Sequence, residues 1–451
     1  VKVVSPSRPR GTSQMPASRR LILDCPPMHH VFPSRPRWVL ATLVLAMGGA
    51  CATADAQALA GDTSVVEARE AARKRDKPKL SSATAAVKAA HHPLAPWAEY
   101  WELLSRLPTV MPDEVDAFYA RWPGSYLEDR LRNDWLLELG RRREWALLAK
   151  DLPRFRMNDD REVTCYGLLA DHLSGKEVRD AARAAWWAQR ELDDGCHQLA
   201  SAMLEARKFG PDEVWRKARH AIDAHRPGAA RAAIALLGQV PVKDVTEALD
   251  QPIRYVRQHV GATRMRQELR LLAVLRLAAN DTDVAAEMLE ARGPGTLPPA
   301  LAAWGWASIG RQAALKLSLE APGYFERAWN SLPAAEAPSP GWSDETLAWG
   351  VRSALRVASQ PQRWALVQRM TSAMSAGEQA NPTWIYWRAR AMQARAATGP
   401  AGDEARAEAR RLLESIAGPL GFYPQLAAED LGWPYALPAP AAAPTATERD
   451  A

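Results

Sequence analysis

The sequence has 451 residues, of which 47% are hydrophobic, and a formal net charge of +6. This length and apolar content exclude wholesale disorder and collagen-like repeats, and suggest two or three domains or one extended array. Residues 1–58 hold seven Lys/Arg and two Asp/Glu, which leaves 51 basic and 50 acidic residues in the remainder. Because the body is nearly neutral, its composition does not favour a nucleic-acid partner.

The first 58 residues have the pattern of an export signal. Arg35 and Arg37 precede an apolar run over 38–47, which is too short to span a bilayer. The small residues that follow end in Ala-Gln-Ala, a form that signal peptidase accepts. We therefore predict an upstream segment and signal peptide over 1–58, with cleavage after Ala58 and Met28 as a candidate start. The mature chain is then periplasmic, with no stable membrane span.

Two other export routes remain open for this leader. Arg19 and Arg20 have the form of a twin-arginine signal, although several prolines separate them from the apolar run. Cys51 is a candidate lipid-modified cysteine, although Gly48 stands three residues before it, where leucine is usual. We favour the simple signal peptide over both.

Cleavage after Ala58 leaves two cysteines, Cys165 and Cys196. In an oxidising compartment an isolated even pair favours a disulfide, and two free buried thiols are the alternative. A metal site is not predicted, because His172 and His197 do not complete a paired set of ligands.

Apolar residues recur with a period near 3.6 almost throughout the body. This spacing predicts a helix over 112–122 that begins at a proline, and another that Asn381 caps. Ser174 and Glu177 have the spacing of a capping box, which predicts a helix over 174–190. Strand patterns are scarce.

Short helices that alternate with Gly or Pro turns over so long a chain cannot all surround one core. Stacked helix pairs solve this problem, because each pair buries its apolar face on its neighbours. We predict an all-α superhelical solenoid of short, TPR-like helix pairs over 59–436, ring or horseshoe shaped. Most of the 18 tryptophans are expected to fill gaps between helices, with a minority available to stack on sugars. The Pro/Ala-rich residues 437–451 have the composition of a truncated linker.

Catalytic and cofactor motifs are absent from the sequence, which has no glycine-rich phosphate loop, H-E-x-x-H, G-x-S-x-G or C-x-x-C. His91 and His92 are expected in an exposed turn, and His220 has no nearby nucleophile to activate. The adjacent carboxylates at 159–160 and 193–194 are expected to be solvated. The residues alone thus predict a binding or scaffolding solenoid with no catalytic residue, cofactor or metal.

Four phrases, in the same order along the chain, resemble the superhelical domain of the soluble lytic murein transglycosylases. They are residues 93–100 (PLAPWAEY), residues 136–147 (LLELGRRREWAL), the segments around Cys165 and Cys196, and residues 421–432 (GFYPQLAAEDLG). The resemblance covers roughly residues 64–436. In the last phrase the matching residues, to which we assign a structural role, are Phe422, Tyr423, Pro424, Ala427, Ala428 and Gly432.

This resemblance implies a periplasmic enzyme that cleaves the MurNAc–GlcNAc β-1,4 bond of peptidoglycan and leaves 1,6-anhydromuramoyl ends. It also implies that Cys165 and Cys196 form a disulfide. The family carries its catalytic glutamate in a C-terminal lysozyme-like domain, in Glu-Ser followed by Gly-Leu-Met-Gln. Here Glu414-Ser415 is followed by Ile-Ala-Gly, and no Gly-Leu-Met-Gln occurs. We therefore transfer no catalytic residue and predict that this chain alone does not cleave glycan.

Two hypotheses follow. In the first, the chain is the superhelical part of a lytic transglycosylase, with peptidoglycan glycan strands as its ligand and cell-wall synthesis or hydrolysis proteins as candidate partners. In the second, it is a stand-alone periplasmic helical-repeat protein that binds or scaffolds.

Overall fold

The structure is a computed structural model that describes residues 61–291, 296–336, 339–357, 362–434 and 440–450. The chain divides into two units, residues 1–59 and 60–451, and all described residues belong to the second. The predicted signal peptide, including Cys51 and Ala58, lies outside the described residues.

The described residues form helices throughout, and no strand is found among them. The first helices are α1 (Asp62–Lys74), α2 (Lys77–Ala89), α3 (Ala95–Ser105), α4 (Pro112–Arg121), α5 (Tyr126–Arg142), α6 (Trp145–Asp151), α7 (Arg161–Leu173), α8 (Arg179–Ala188) and α9 (Asp194–Glu205). Two short 3-10 helices, Leu107–Thr109 and Leu152–Arg154, lie among them.

The chain continues as further α-helices of similar length. They are α10 (Pro211–Asp223), α11 (Pro227–Ala235), α12 (Val242–Asp250), α13 (Pro252–Gln258), α14 (Arg264–Asn280), α15 (Thr282–Glu290), α16 (Pro299–Leu315) and α17 (Ala321–Ser331). The last are α18 (Asp344–Arg356), α19 (Arg363–Ser372), α20 (Ala376–Gln379), α21 (Pro382–Arg395), α22 (Pro400–Ile416), α23 (Phe422–Asp430) and α24 (Ala446–Asp450). The short α24 lies within the predicted linker.

Local sequence sets many of the helix starts. The side chain of Asn381 accepts a hydrogen bond from the backbone N–H of Thr383, as predicted for an N-cap, and Pro382 opens α21. The predicted start at Ser174 is wrong, because this residue closes α7 and α8 begins only at Arg179. Ser174 donates its hydroxyl to the Asp171 carbonyl of the preceding helix, so its side chain is not free to cap a following one.

Buried apolar residues form a series of clusters along the chain instead of one core. The successive clusters draw on residues 65–98, 100–170, 165–233, 215–391 and 386–427. Each helix therefore buries its apolar face mainly against helices close to it in sequence, which is how a solenoid is stabilised. The prediction of an all-α superhelical fold is confirmed.

Tryptophan fills much of the space between helices. Trp215, Trp304 and Trp306 are each less than a tenth exposed and belong to one cluster. This agrees with the prediction that most tryptophans pack between helices.

Cys165 in α7 and Cys196 in α9 are joined by a disulfide, with an S–S distance of 2.02 Å. Both residues are buried in the cluster that α7, α8 and α9 share. Of the two alternatives left by the sequence, the structure has the disulfide and not two free thiols. Disulfides persist in oxidising compartments, so the bond fits an exported protein.

Candidate functional site

A cleft of about 490 Å³ opens beside α10, and we call it the α10 cleft. It is lined by the end of α8, one face of α10, Arg311 of α16, the residues that lead into α18, and the turn after α19. Four arginines and three carboxylates line it: Arg161, Arg190, Arg216, Arg311, Asp223, Asp344 and Glu345. Its volume lies in the range typical of small-ligand sites, which is roughly 300–1,000 Å³.

Arg216 and His220 face the cleft together because residues four apart share one face of a helix. The Arg216 guanidinium lies over the ring of Trp187, with its carbon 4.1 Å from the ring centroid. A hydrogen bond fixes Trp187 in position, since its indole N–H donates to the Glu213 carbonyl at 3.1 Å. The His220 ring contacts Trp304 edge-on, with centroids 5.1 Å apart.

Two of the α10 side chains that line the cleft have pKa values well below their usual range. Burial, with the neighbouring charges of Arg219 and Arg183, lowers the pKa of Arg216 to about 10. Burial and the adjacent cations, Arg216 first among them, lower the pKa of His220 to about 3. At neutral pH the cleft wall therefore presents a neutral imidazole and a guanidinium whose charge is poorly compensated.

The loop before α18 approaches this wall through Gly341. Its φ is +77°, in the region that favours glycine, and a Cβ built there would lie 3.0 Å from the guanidinium carbon of Arg216. The absence of a side chain lets the Gly341 carbonyl accept a hydrogen bond from Arg216 at 3.3 Å. The backbone at Gly341 thus forms one side of the cleft and contacts the Arg216 guanidinium directly.

Glu345 joins two separate stretches of chain across the cleft. Its carboxylate accepts from Arg311 at 2.8 Å and from Arg190 at 3.3 Å, the latter 155 residues away in sequence. Burial alone would raise the pKa of Glu345, but the hydrogen bond and charge of Arg311, together with Arg190, lower it. Glu345 therefore remains ionised, and each of its two oxygens accepts a hydrogen bond from one arginine.

A second network lies at the base of the cleft and ties α10 to α16. The Asp223 carboxylate accepts from the Trp304 indole at 2.9 Å and from the Ser308 hydroxyl at 2.6 Å. Arg311 donates to the backbone carbonyl of the same aspartate at the end of α10. These bonds fix Arg311 in position, so the cleft wall is built on packed helices.

The residues of the last family-like phrase form α23 and its surroundings. Ala427 is fully buried in the cluster that joins α21, α22 and α23, and the Tyr423 hydroxyl lies 3.3 Å from the Trp387 indole nitrogen that donates to it. Pro424 and Ala428 are half-buried, whereas Phe422 and Gly432 are exposed. None of these residues lines the α10 cleft.

Glu414, the glutamate of the Glu-Ser pair, lies on α22 away from the cleft. Its carboxylate accepts from Arg410, one turn earlier, at 2.9 Å on the helix surface. This is the arrangement of a surface ion pair within a helix.

Several polar residues lie in surroundings that the sequence did not predict. His92 is buried and hydrogen-bonds to Asp62 at 2.8 Å, so the expectation of an exposed turn is wrong for it. Asp160 and Asp193, expected to be solvated, cap α7 and α9 by accepting backbone N–H groups. A carboxylate just before a helix is a common N-cap, and this signal was available in the sequence.

Sequence reasoning also missed the cleft itself. The spacing of Arg216 and His220 on one helix was visible, but neither their approach to Trp187 nor that of Gly341 follows from any local pattern. Within the described ranges, no three His, Cys, Asp or Glu side chains are grouped so as to hold a metal ion. None of the helices in this part of the chain combines the length and apolar character needed to cross a membrane.

The solved structures that are similar to this chain include two lytic transglycosylases. One is an inactive mutant of lytic transglycosylase Slt from Pseudomonas aeruginosa, with 20% identity, a TM-score of 0.43, and coverage of 82% of this chain and 58% of that one. The other is a 70-kDa soluble lytic transglycosylase in complex with bulgecin A, with 19% identity, a TM-score of 0.41, and coverage of 86% and 60%. This chain thus spans about 60% of the length of the second structure and slightly less of the first.

Both structures are lytic transglycosylases, the family that the sequence phrases resemble. No protein-family model and no curated protein matches the chain.

Proposed function

We propose that this chain is the exported, superhelical part of a lytic transglycosylase, and that it binds peptidoglycan. The observation that carries the proposal is the pairing of Cys165 with Cys196, in the two segments that resemble the family's disulfide-bearing helices. The order of the four phrases along one continuous series of helix pairs supports the same interpretation.

The proposed organisation follows the sequence. Residues 1–58 comprise an upstream segment and a signal peptide, residues 59–436 form the superhelical domain, and residues 437–451 begin a linker. The periplasm supplies the oxidising conditions that the disulfide needs. Glycan strands are the proposed ligand, and cell-wall synthesis or hydrolysis proteins are the proposed protein partners.

Co-sedimentation with purified murein sacculi tests the binding proposal. We expect the purified chain to sediment with sacculi and to remain in solution with cellulose, a β-1,4-glucan that lacks both acetamido groups and peptides. Equal sedimentation with the two polymers, or with neither, would contradict peptidoglycan binding.

We further propose that this chain does not cleave glycan by itself. Glu414, the only candidate by motif, accepts a hydrogen bond from Arg410 on an exposed helix face. Incubation with sacculi followed by mass spectrometry of the soluble products is expected to detect no 1,6-anhydromuropeptides. Their appearance above the level of a heat-denatured control would overturn this proposal.

The alternative, a stand-alone helical-repeat binding protein, differs in the mass of the native protein. The intact mass measured from producing cells distinguishes the two. A mass well above that of residues 59–451 favours the transglycosylase, and a matching mass favours the binding protein.

A further inference from the structure

The carboxylates that line the α10 cleft have hydrogen-bond donors from the protein, whereas one of its arginines has no carboxylate partner among the described residues. Glu345 is occupied by Arg190 and Arg311, and Asp223 by the Trp304 and Ser308 donors. Asp344 accepts the backbone N–H of Ser375 at 2.7 Å. Each carboxylate that lines the cleft therefore already has a donor from the protein.

Arg216, in contrast, has no carboxylate within salt-bridge distance among the described residues. Glu213, one turn earlier on the same helix, instead lies 3.6 Å from Arg183. Arg216 donates only to the Gly341 carbonyl, and its Nε is buried without a partner. Arg216 is half-buried, and a guanidinium partly removed from water without a counter-charge is costly, so an anion bound beside it would be stabilised.

Two further donors in the cleft lack acceptors. The indole N–H of Trp342 is buried without a partner in the part of the chain described, and this residue is only 7% exposed. Arg311 likewise has an unpaired Nε, although its other nitrogens are bonded. The cleft thus has buried donors without acceptors, and its four arginines outnumber its three carboxylates, which favours a carboxylate ligand.

We propose that the α10 cleft binds a carboxylate, with Arg216 as its anchor and the walls around Trp187 and Trp342 enclosing the group that carries it. This inference rests on the proposed function: if the chain binds peptidoglycan, the carboxylate belongs to the peptide stem of that polymer. The lactyl groups that bear stems are consumed in amide bonds, so the free carboxylates of this polymer lie on its peptides. The cleft then recognises the peptide substituent of a strand and not its sugar backbone.

Isothermal titration of the purified chain with a disaccharide-tetrapeptide released from sacculi tests this inference. We expect binding that falls roughly 10- to 100-fold when the peptide carboxylates are methyl-esterified, because a charge-assisted hydrogen bond is lost. The R216M variant is expected to show the same loss with the unmodified ligand. Peptide-free chitotetraose is expected to bind no better to the wild type than to R216M.

Arg363 provides a matched control. Its guanidinium lies 4.6 Å from the Trp364 ring centroid and donates to the Val357 carbonyl at 3.4 Å, as Arg216 does with Trp187 and Gly341, but it lies outside the cleft. R363M should bind the disaccharide-tetrapeptide like the wild type. If R216M does not fold, R216K provides the test, because it keeps the charge but loses the planar fork and should bind more weakly than the wild type.

The outcomes separate this inference from the proposed function. Sedimentation with sacculi combined with equal binding of ester and free carboxylate would overturn the carboxylate site and leave peptidoglycan binding intact. Binding of the free tetrapeptide through Arg216, without sedimentation on sacculi, would establish the site and overturn the proposed function. A folded R216M or R216K that binds the disaccharide-tetrapeptide with wild-type affinity would refute the role of Arg216.

Discussion

Trp304 donates its indole N–H to Asp223 at 2.9 Å, across 81 residues of chain. Ser308, one turn further along α16, donates to the other oxygen of the same carboxylate. Burial raises the pKa of Asp223, while the Ser308 and Trp304 hydrogen bonds and the nearby arginines oppose that rise. One buried carboxylate on α10 thus accepts hydrogen bonds from two residues of α16.

Asp223→Ala is expected to lower the free energy of unfolding by about 3 kcal/mol, because two buried donors lose their acceptor at once. Urea denaturation followed by circular dichroism measures the change. Asp250→Ala is the control, since Asp250 pairs with Arg231 on the surface, and its loss should cost at most about 1 kcal/mol. Equal effects of the two variants would contradict a special role for Asp223.

Gly341→Ala is expected to weaken binding of the disaccharide-tetrapeptide and to destabilise the fold, because its Cβ would displace Arg216. Gly124→Ala is the matched control: its φ is +74° against +77°, but a Cβ there meets nothing within 4 Å. Both variants carry the strain of a positive φ, of the order of 1 kcal/mol. Only Gly341→Ala should also change ligand affinity, as measured by titration calorimetry.

Lys217 predicts a rise in stability at alkaline pH. It is buried, donates to the carbonyls of Trp186 and Gln189, and burial lowers its pKa from 10.5 to about 8. Between these two values the unfolded chain binds the proton and the folded chain does not, so stability rises with pH across this window.

The wild type should therefore gain up to about 3 kcal/mol relative to Lys217→Met between pH 8 and pH 10.5. Urea denaturation of both proteins across this range measures the difference, in which the ionisation of tyrosines cancels. Parallel stability curves for the two proteins would show that Lys217 does not titrate as described.

His220 predicts a loss of stability in acid. Its pKa is lowered from 6.5 to about 3, so between these values the unfolded chain takes up a proton that the folded chain does not. Stability therefore falls as pH falls from 6.5 towards 3. His220→Phe keeps an aromatic ring against Trp304 and should flatten this decline in thermal denaturation scans. An unchanged slope would mean that the imidazole protonates freely in the folded protein.

The disulfide predicts a large effect of reduction. Cys165 and Cys196 are separated by 31 residues, and closing such a loop stabilises a fold by about 3–4 kcal/mol on the chain-entropy model. Replacing both cysteines with alanine is expected to lower the free energy of unfolding by this amount, and a reductant should then have no further effect. A reductant that destabilised the double variant would show that another process is involved.

Local sequence predicted the helices but not their long-range contacts. The cap at Asn381 and the start of α4 at Pro112 depend on neighbouring residues, so they follow from spacing alone. The predicted start of α8 was wrong because the Ser174 hydroxyl donates a hydrogen bond to a carbonyl of α7 instead of capping the next helix. His92 was misplaced because its partner, Asp62, lies 30 residues away.

The α10 cleft was beyond sequence reasoning for the same physical reason. Trp187, Arg216 and Gly341 come together only after the helix pairs have stacked. A single sequence does not show how each helix pair is positioned against the next. The disulfide was predictable because chemistry, unlike packing, limits two cysteines to few alternatives.

Glu345 has a consequence for how the molecule unfolds. In a linear array each repeat opens with its neighbours only, and protection from hydrogen exchange decays gradually towards the ends. The bonds from Glu345 to Arg190 and Arg311 connect α18 to the end of α8 and to α16, which converts this part of the array into a cross-linked block. Amide protons of α8, α10, α16 and α18 should therefore exchange through one shared opening, while α1 and α2 exchange independently of it.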